Sequence, residues 1–363
     1  MAVFRNPHRG TGLTDMVGLA GGRILSDPAE PYRLLAHCPA ANTTTLRDMP
    51  ELARTNNVAK VFVKDESARM GLGSFKALGA AYVIARFAME RAGGPEALAR
   101  HSQRQTILSD MVFACASAGN HGLSVASGAR IFGARAIVYI ADSVPEPFAG
   151  RLRDLGAEVR RVGAFYEASM EAAKLDCERN GWTLLSDSSW PGYVELPMRV
   201  MEGYLVVGAE VADQIDAPPT HIFLQAGVGG FAAAMTAHFR MCWGEEPTII
   251  VVEPDAAATL LESVRAGQPT DVPGPESIMG RLDCKSPSHL ALAELARNAD
   301  IFQTISDQQS LETVGDLGRL GIPTTPSGAA GFAGFTHLGA DRDTFGLNDQ
   351  SRVLIFVTEG PEG

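Results

Sequence analysis

Residues 64–76 read KDESARMGLGSFK, and they follow an apolar run, AKVFV, at 59–63. That run has the composition of a buried strand. Past Gly71 and Gly73 the chain enters 77–91, a long Ala-rich stretch of helix formers. The pattern predicts a strand, a glycine-containing loop and a helix, with Lys76 where loop becomes helix. A lysine there, beside Phe75 and on the edge of an Ala/Gly-rich face, is expected to be partly desolvated. Burial disfavours the ammonium form, and a neutral amine is what attacks an aldehyde. The plainer alternative is a solvated lysine in the first turn of a helix.

Two further glycine-rich stretches each follow an apolar run. Ser117-Ala118-Gly119-Asn120-His121-Gly122 comes after 111–116, and Gln225-Ala226-Gly227-Val228-Gly229-Gly230-Phe231 ends the run that starts at His221. Glycines let backbone N–H groups crowd around a phosphate, and a helix starting there adds partial positive charge. Any tight strand-to-helix turn also needs glycine, so neither loop decides alone. The second loop is not GxGxxG, and no GxxxxGK[ST] is present, which argues against dinucleotide and nucleotide-phosphate folds.

In this order and spacing, the lysine, the SxGNHG loop and the GxGG loop resemble the pyridoxal-phosphate enzymes of fold type II, the tryptophan-synthase-like group. Within it the resemblance is to the diaminopropionate ammonia-lyases. It is carried by the 64–79 stretch, GNHG at 119–122, D--W-GY at 187–193, THIFLQAGVGG at 220–230, VEPD at 252–255, IMGRL at 278–282, PSGAAG at 326–331 and TEG at 358–360. The resemblance implies an α/β protein of two domains, each a largely parallel sheet flanked by helices. A large cofactor-binding domain is expected from 1–104 and 191–363, with a small α/β domain, 105–190, inserted between them.

The same resemblance assigns roles. Lys76 forms the Schiff base with pyridoxal 5'-phosphate, and Gly227, Val228, Gly229 and Gly230 hold the phosphate. Asn120 bonds the ring oxygen, and the Thr358 hydroxyl meets the pyridine nitrogen. Ser117, Gly119 and His121 belong to the loop that receives the substrate carboxylate. His121 could titrate near pH 7, but the family places proton transfer elsewhere. Asp187, in D-x-x-W-x-G-Y, is the expected base near Cα. Read from residues alone, Asp187 is a turn or cap aspartate and Thr358 a turn threonine.

The activity implied is β-elimination from an amino acid, giving a 2-oxo acid and ammonia, with 2,3-diaminopropionate as the lead substrate. Three departures bear on the substrate. Ala118 stands where the lyases carry an aspartate before GNHG, and Gly73-Ser74 precedes Phe75-Lys76 as in threonine synthases and dehydratases. Of the paired cysteines in the lyases, only Cys284 falls in the matching region. A dehydratase of a β-hydroxy amino acid is the first alternative. A β-replacement synthase, a non-catalytic amino-acid binder and a nucleotide-dependent oxidoreductase follow.

Composition narrows the partners. The 363 residues carry 31 Lys and Arg against 42 Asp and Glu, a net charge of −11. With no long basic run, neither nucleic acid nor an anionic membrane is expected as a partner. The five cysteines are scattered without CxxC spacing, so no metal site and no disulfide framework is expected. The N-terminus has no apolar core for a signal peptide. These features point to a soluble cytoplasmic protein; the resemblance implies an enzyme of amino-acid catabolism, a homodimer whose partner is its small amino-acid substrate.

Elsewhere, strand and helix patterns alternate with short connections, the signature of a parallel sheet covered on both faces. Residues 1–45 are expected to form an irregular arm, and 44–55 a short helix. The Pro/Gly-rich loop 269–280 is a candidate active-site flap.

Overall fold

The structure is a computed structural model that describes residues 2–14, 16, 24–38, 40–100 and 104–361. Eleven strands run in chain order: β1 (Val3–Arg5), β2 (Thr45–Asp48), β3 (Lys60–Asp65), β4 (Val112–Ala116), β5 (Arg135–Ile140), β6 (Glu158–Arg161), β7 (Thr183–Leu184), β8 (His221–Gln225), β9 (Thr248–Pro254), β10 (Ile301–Ile305) and β11 (Arg352–Val357). They form two sheets. One has seven strands in the order β1-β10-β9-β8-β11-β3-β2, the other four in the order β6-β5-β4-β7. All neighbours are parallel except the two edge pairs of the larger sheet, β1 with β10 and β2 with β3.

The central strands β8, β10 and β11 are buried along nearly their whole length. Helices cover both faces of the larger sheet, which is why these strands read as unbroken apolar runs. On one face lie helices Glu195–Gln214 and Gly230–Trp243; on the other lies Pro326–Thr336. The Glu195–Gln214 helix also meets the segment that carries Lys76. A Cβ on Gly203 would lie 2.3 Å from the Leu78 carbonyl oxygen and 3.1 Å from Tyr82 Cβ. Only glycine lets the two backbones come this close.

Behind the Lys76 loop, Lys64, Glu66 and Arg69 from the opening stretch are buried with Glu210. Lys64 Nζ donates to Glu210 Oε2 at 2.7 Å, to Gln214 Oε1 at 2.9 Å and to the Thr44 carbonyl at 2.9 Å. Arg69 donates to both oxygens of Glu210 and both of Glu66, each at 2.7–2.8 Å. Each charge therefore has a partner of opposite sign and bonds that occupy its hydrogens. This is the condition under which buried ions persist.

Two local expectations change, and one helix was not predicted. The first half of 44–55 is strand: Thr45–Asp48 pairs antiparallel with β3, Thr45 opposite Asp65. The helix begins only at Pro50, whose fixed φ suits a first helical position but which cannot donate to a ladder. The 1–45 arm is not wholly irregular. It supplies the edge strand β1 and a helix, Ala29–Leu35; residues 17–23 lie outside the described residues. A helix over Thr259–Ala266 was hidden by the Ala-rich turn before it. Among the described residues no helix is long and apolar enough to cross a membrane.

Candidate active site

The carboxyl ends of β3, β8 and β11 in one sheet and of β4 and β7 in the other open on a single cleft of about 570 Å³. Every residue singled out from the sequence lines it: Lys76, Ser117, Gly119, Asn120, His121, Asp187, Gly227, Val228, Gly229, Gly230 and Thr358. The two halves touch across it. A Cβ on Gly230 would lie 3.8 Å from the Asp187 carbonyl oxygen.

Lys76 sits in a short 3₁₀ turn, Phe75–Leu78, capped by the Ser74 side chain, which accepts from the Lys76 N–H. Phe75 anchors the turn by packing against Tyr204 and Phe231. The Lys76 amine donates to Asp187 Oδ2, and this corrects the expectation of a neutral amine. Burial pulls the ammonium toward deprotonation, but the Asp187 carboxylate outweighs it and the Lys76 pKa is raised. Asp187 is the mirror image. Burial pushes its carboxyl up, but the Lys76 ammonium outweighs burial and holds it well below the usual carboxylate range.

His121 is buried, and its Nε2 is 2.8 Å from the Leu185 carbonyl oxygen, so that nitrogen carries the proton. Burial lowers its pKa, and Nδ1 lies 3.9 Å from Asp187 Oδ2, too far for a hydrogen bond. His121 therefore acts as a neutral brace beside Asp187. The Ser117 hydroxyl accepts from the N–H groups of Gly119, at 3.2 Å, and Gly122, at 3.0 Å. Those two donors close the loop and are not offered to a substrate anion.

The Gly227–Gly230 turn leads into helix Gly230–Trp243, and no side chain caps its N-terminus. Gly229 takes φ +99°, a conformation that favours glycine. A Cβ on Gly227 would lie 2.9 Å from Cys284 Sγ and 3.1 Å from Leu282 Cα. The turn thus presents bare backbone at the positive end of a helix, the donor set that suits a phosphate. A phosphate held there and an aldehyde joined to Lys76 would share one cleft, and the residues present fit a pyridoxal phosphate.

Several cleft residues were not singled out from the sequence. Glu359, next to Thr358, is buried; it accepts from Asn120 Nδ2 and from the Thr325 hydroxyl. Arg281 Nη1 lies 3.3 Å from Glu359 Oε1, and its side chain runs past Gly119. Gln225 reaches under the floor to Thr358 at 3.1 Å. Their motifs, TEG, IMGRL and LQAGVGG, were in view, but a buried glutamate in a turn motif carries no local signal of its partners.

Comparison with known proteins gives a consistent result. The family model described as pyridoxal-phosphate dependent enzyme matches residues 38–359. The diaminopropionate ammonia-lyase of Escherichia coli K12 is 32% identical over 337 residues, 87% of this chain and 84% of its own length. The human L-serine dehydratase/L-threonine deaminase is 25% identical over 276 residues, 75% of each chain. Among solved structures, diaminopropionate ammonia-lyase from Escherichia coli in complex with D-serine matches with a TM-score of 0.87 at 26% identity. That match covers 99% of this chain and 93% of the other.

Proposed function

The chain belongs to the pyridoxal-phosphate dependent enzymes, and from that membership we propose that it is an ammonia-lyase. It eliminates the β-substituent of a small amino acid, 2,3-diaminopropionate first, to give a 2-oxo acid and ammonia. The observation that carries this reading is the meeting of Lys76, Asp187 and the uncapped Gly227–Gly230 turn in one cleft. The extent of similarity to diaminopropionate ammonia-lyase supports the substrate.

When bound, the pyridoxal group supplies an aldehyde for an amine and a ring system that takes up negative charge from Cα. Lys76 is the amine that would hold it, and the backbone of Gly227 to Gly230 would hold its phosphate. Asn120 and Thr358 reach the cleft from opposite sheets and would contact the ring's oxygen and nitrogen. Asp187 moves the proton at Cα. Its basicity is suppressed while Lys76 is an ammonium. Once the lysine nitrogen carries no charge, burial dominates and the carboxylate binds a proton more tightly. The wall at Ala118 is a methyl and holds no proton.

A dehydratase of a β-hydroxy amino acid is the second reading, favoured by Ala118 lining the cleft where a second carboxylate would serve the lyase. In either case residues 105–190 are taken as a small domain, carrying β4–β7, inserted into a large one of 1–104 and 191–363. The protein is taken as a cytoplasmic homodimer that acts in amino-acid catabolism.

The test is a panel of β-substituted amino acids assayed for release of 2-oxo acid and ammonia. Diaminopropionate is expected to turn over fastest. Serine or threonine leading the panel would replace the lyase with the dehydratase, and no turnover of any member would overturn both.

A further inference from the structure

We propose that Arg281, held by Glu359 across the 117–122 loop, receives the α-carboxylate of the amino-acid substrate. The inference rests on the reading of the cleft as an amino-acid site and names the side chain that reads the acid end of that substrate.

The 117–122 loop brings no countercharge of its own. Two of its N–H groups, those of Gly119 and Gly122, are turned inward to Ser117 Oγ, and His121 is buried and neutral. An arriving carboxylate also shares the cleft with Asp187 and Glu359, and like charges at such range repel. It needs a cation beside it. Among the described residues four cationic side chains line the cleft: Lys76, Lys174, Arg281 and Lys285. Lys76 faces Asp187 and is the amine assigned to the cofactor. Lys285 Nζ is tied to the Ala256 and Pro275 carbonyls, at 3.1 and 2.8 Å, and to Asp283. Lys174, on the rim helix Tyr166–Asn180, stands over the Trp190 ring, 4.3 Å from its centroid.

Arg281 is the one laid against the loop. A Cβ on Gly119 would lie 3.6 Å from Arg281 Nε and 3.7 Å from its Cγ, so the side chain runs along bare loop backbone. A Cβ on Gly227 would lie 3.2 Å from the Arg281 carbonyl oxygen, and the Arg281 N–H donates to Ser327 Oγ at 3.1 Å. The residue is thus rooted beside the glycine turn of the larger sheet and reaches over the loop of the smaller one. Nη1 meets Glu359 Oε1 at 3.3 Å. Glu359 is 4% exposed and is fixed in turn by Asn120 Nδ2 and the Thr325 hydroxyl. A guanidinium has five N–H donors in one plane, enough to meet two carboxylates at once. It matches a carboxylate by two parallel bonds, a geometry that an ammonium does not reproduce.

The test uses the holoenzyme with 2,3-diaminopropionate and its α-carboxamide, which replaces the anion by a neutral group of similar shape. Should serine lead the panel above, serine and serinamide take their place. Two constants are read: KM for the acid, and the inhibition constant of the carboxamide against it. Arg281→Met should raise KM by about 10–100-fold, the size of a lost hydrogen bond to a charged group, with kcat changed less. The carboxamide constant should stay within about threefold, because that ligand carries no charge for the guanidinium to meet. Arg281→Lys keeps a cation opposite Glu359 and should fall between the native protein and Arg281→Met. If Arg281→Met does not fold, the preference for acid over carboxamide, lower than native in Arg281→Lys, decides the matter. Equal weakening of acid and carboxamide would make Arg281 a structural support of Glu359 and overturn the role, and so would an unchanged KM. A native protein that turns over no member of the panel would overturn the reading of the cleft itself, and this inference with it.

Discussion

Asp187 keeps its charge because Lys76 does, and the pair sets how the site should respond to substitution. Lys76→Ala removes the amine proposed to anchor the cofactor. Turnover should fall by orders of magnitude, and the yellow absorbance of bound cofactor should vanish from a simple scan. A surviving band would require another lysine. Lys64 is not placed for it, being buried among Glu210, Gln214 and the Thr44 carbonyl. Asp187→Asn should lower kcat by roughly 10²–10⁴-fold, the usual size of a lost general base, while the absorbance stays. Ala118 carries no carboxylate, and the proposed one-base site leaves Asp187 alone to serve Cα. Assays on D- and L-diaminopropionate should therefore show activity on one enantiomer, the L form, and comparable rates on both would refute the one-base site. Lys76 and Asp187 were legible because each ends a predicted element inside a motif. Glu359 was not, because its meaning comes from Asn120 and Arg281, 239 and 78 residues away in sequence.

At the level of elements, helix Thr259–Ala266 shows how a support escapes a linear reading. Its first N–H groups, Leu260 and Leu261, donate to Glu253 Oε1 and Oε2, each at 2.8 Å. Leu260 in turn packs beneath Gly229, where a Cβ would come within 3.1 Å of it. Burial pushes the Glu253 carboxyl up to about 8, against the pull of those two N–H groups. A folded pKa raised above the unfolded value means the folded state holds the proton more tightly. The contribution to stability is complete below about 4.5, the ordinary value, and declines as pH rises through about 8. Denaturant midpoints measured from pH 5 to pH 8 should fall, and Glu253→Gln should flatten that slope. An unchanged slope would mean the carboxylate stays ionised, held by the helix N-terminus. The strand β2 was misread for a related reason. Leu46, Met49, Leu52 and Ala53 keep a helical spacing, but β3 needed an edge partner and took Thr45–Asp48.

Across the whole molecule, the alternation of strand and helix was enough to read a parallel α/β protein with its chemistry at the strand ends. It could not show that Lys64, Glu66 and Arg69 close around Glu210, some 140 residues on. Glu210→Ala leaves Lys64 buried without its carboxylate partner. It should cost about 3–5 kcal/mol, read as a lower denaturant midpoint with the cofactor absorbance intact in whatever protein remains folded. A loss within 0.5 kcal/mol would mean water enters and solvates the remaining charges. The near contact of Gly203 with Leu78 fixes the turn that carries Lys76 and admits almost no change of volume. The rim of the cleft, with Tyr166, Glu167 and Glu171 on the first turns of one surface helix, can exchange side chains freely. New substrate preferences can therefore evolve from the rim inward while the lysine stays where it is.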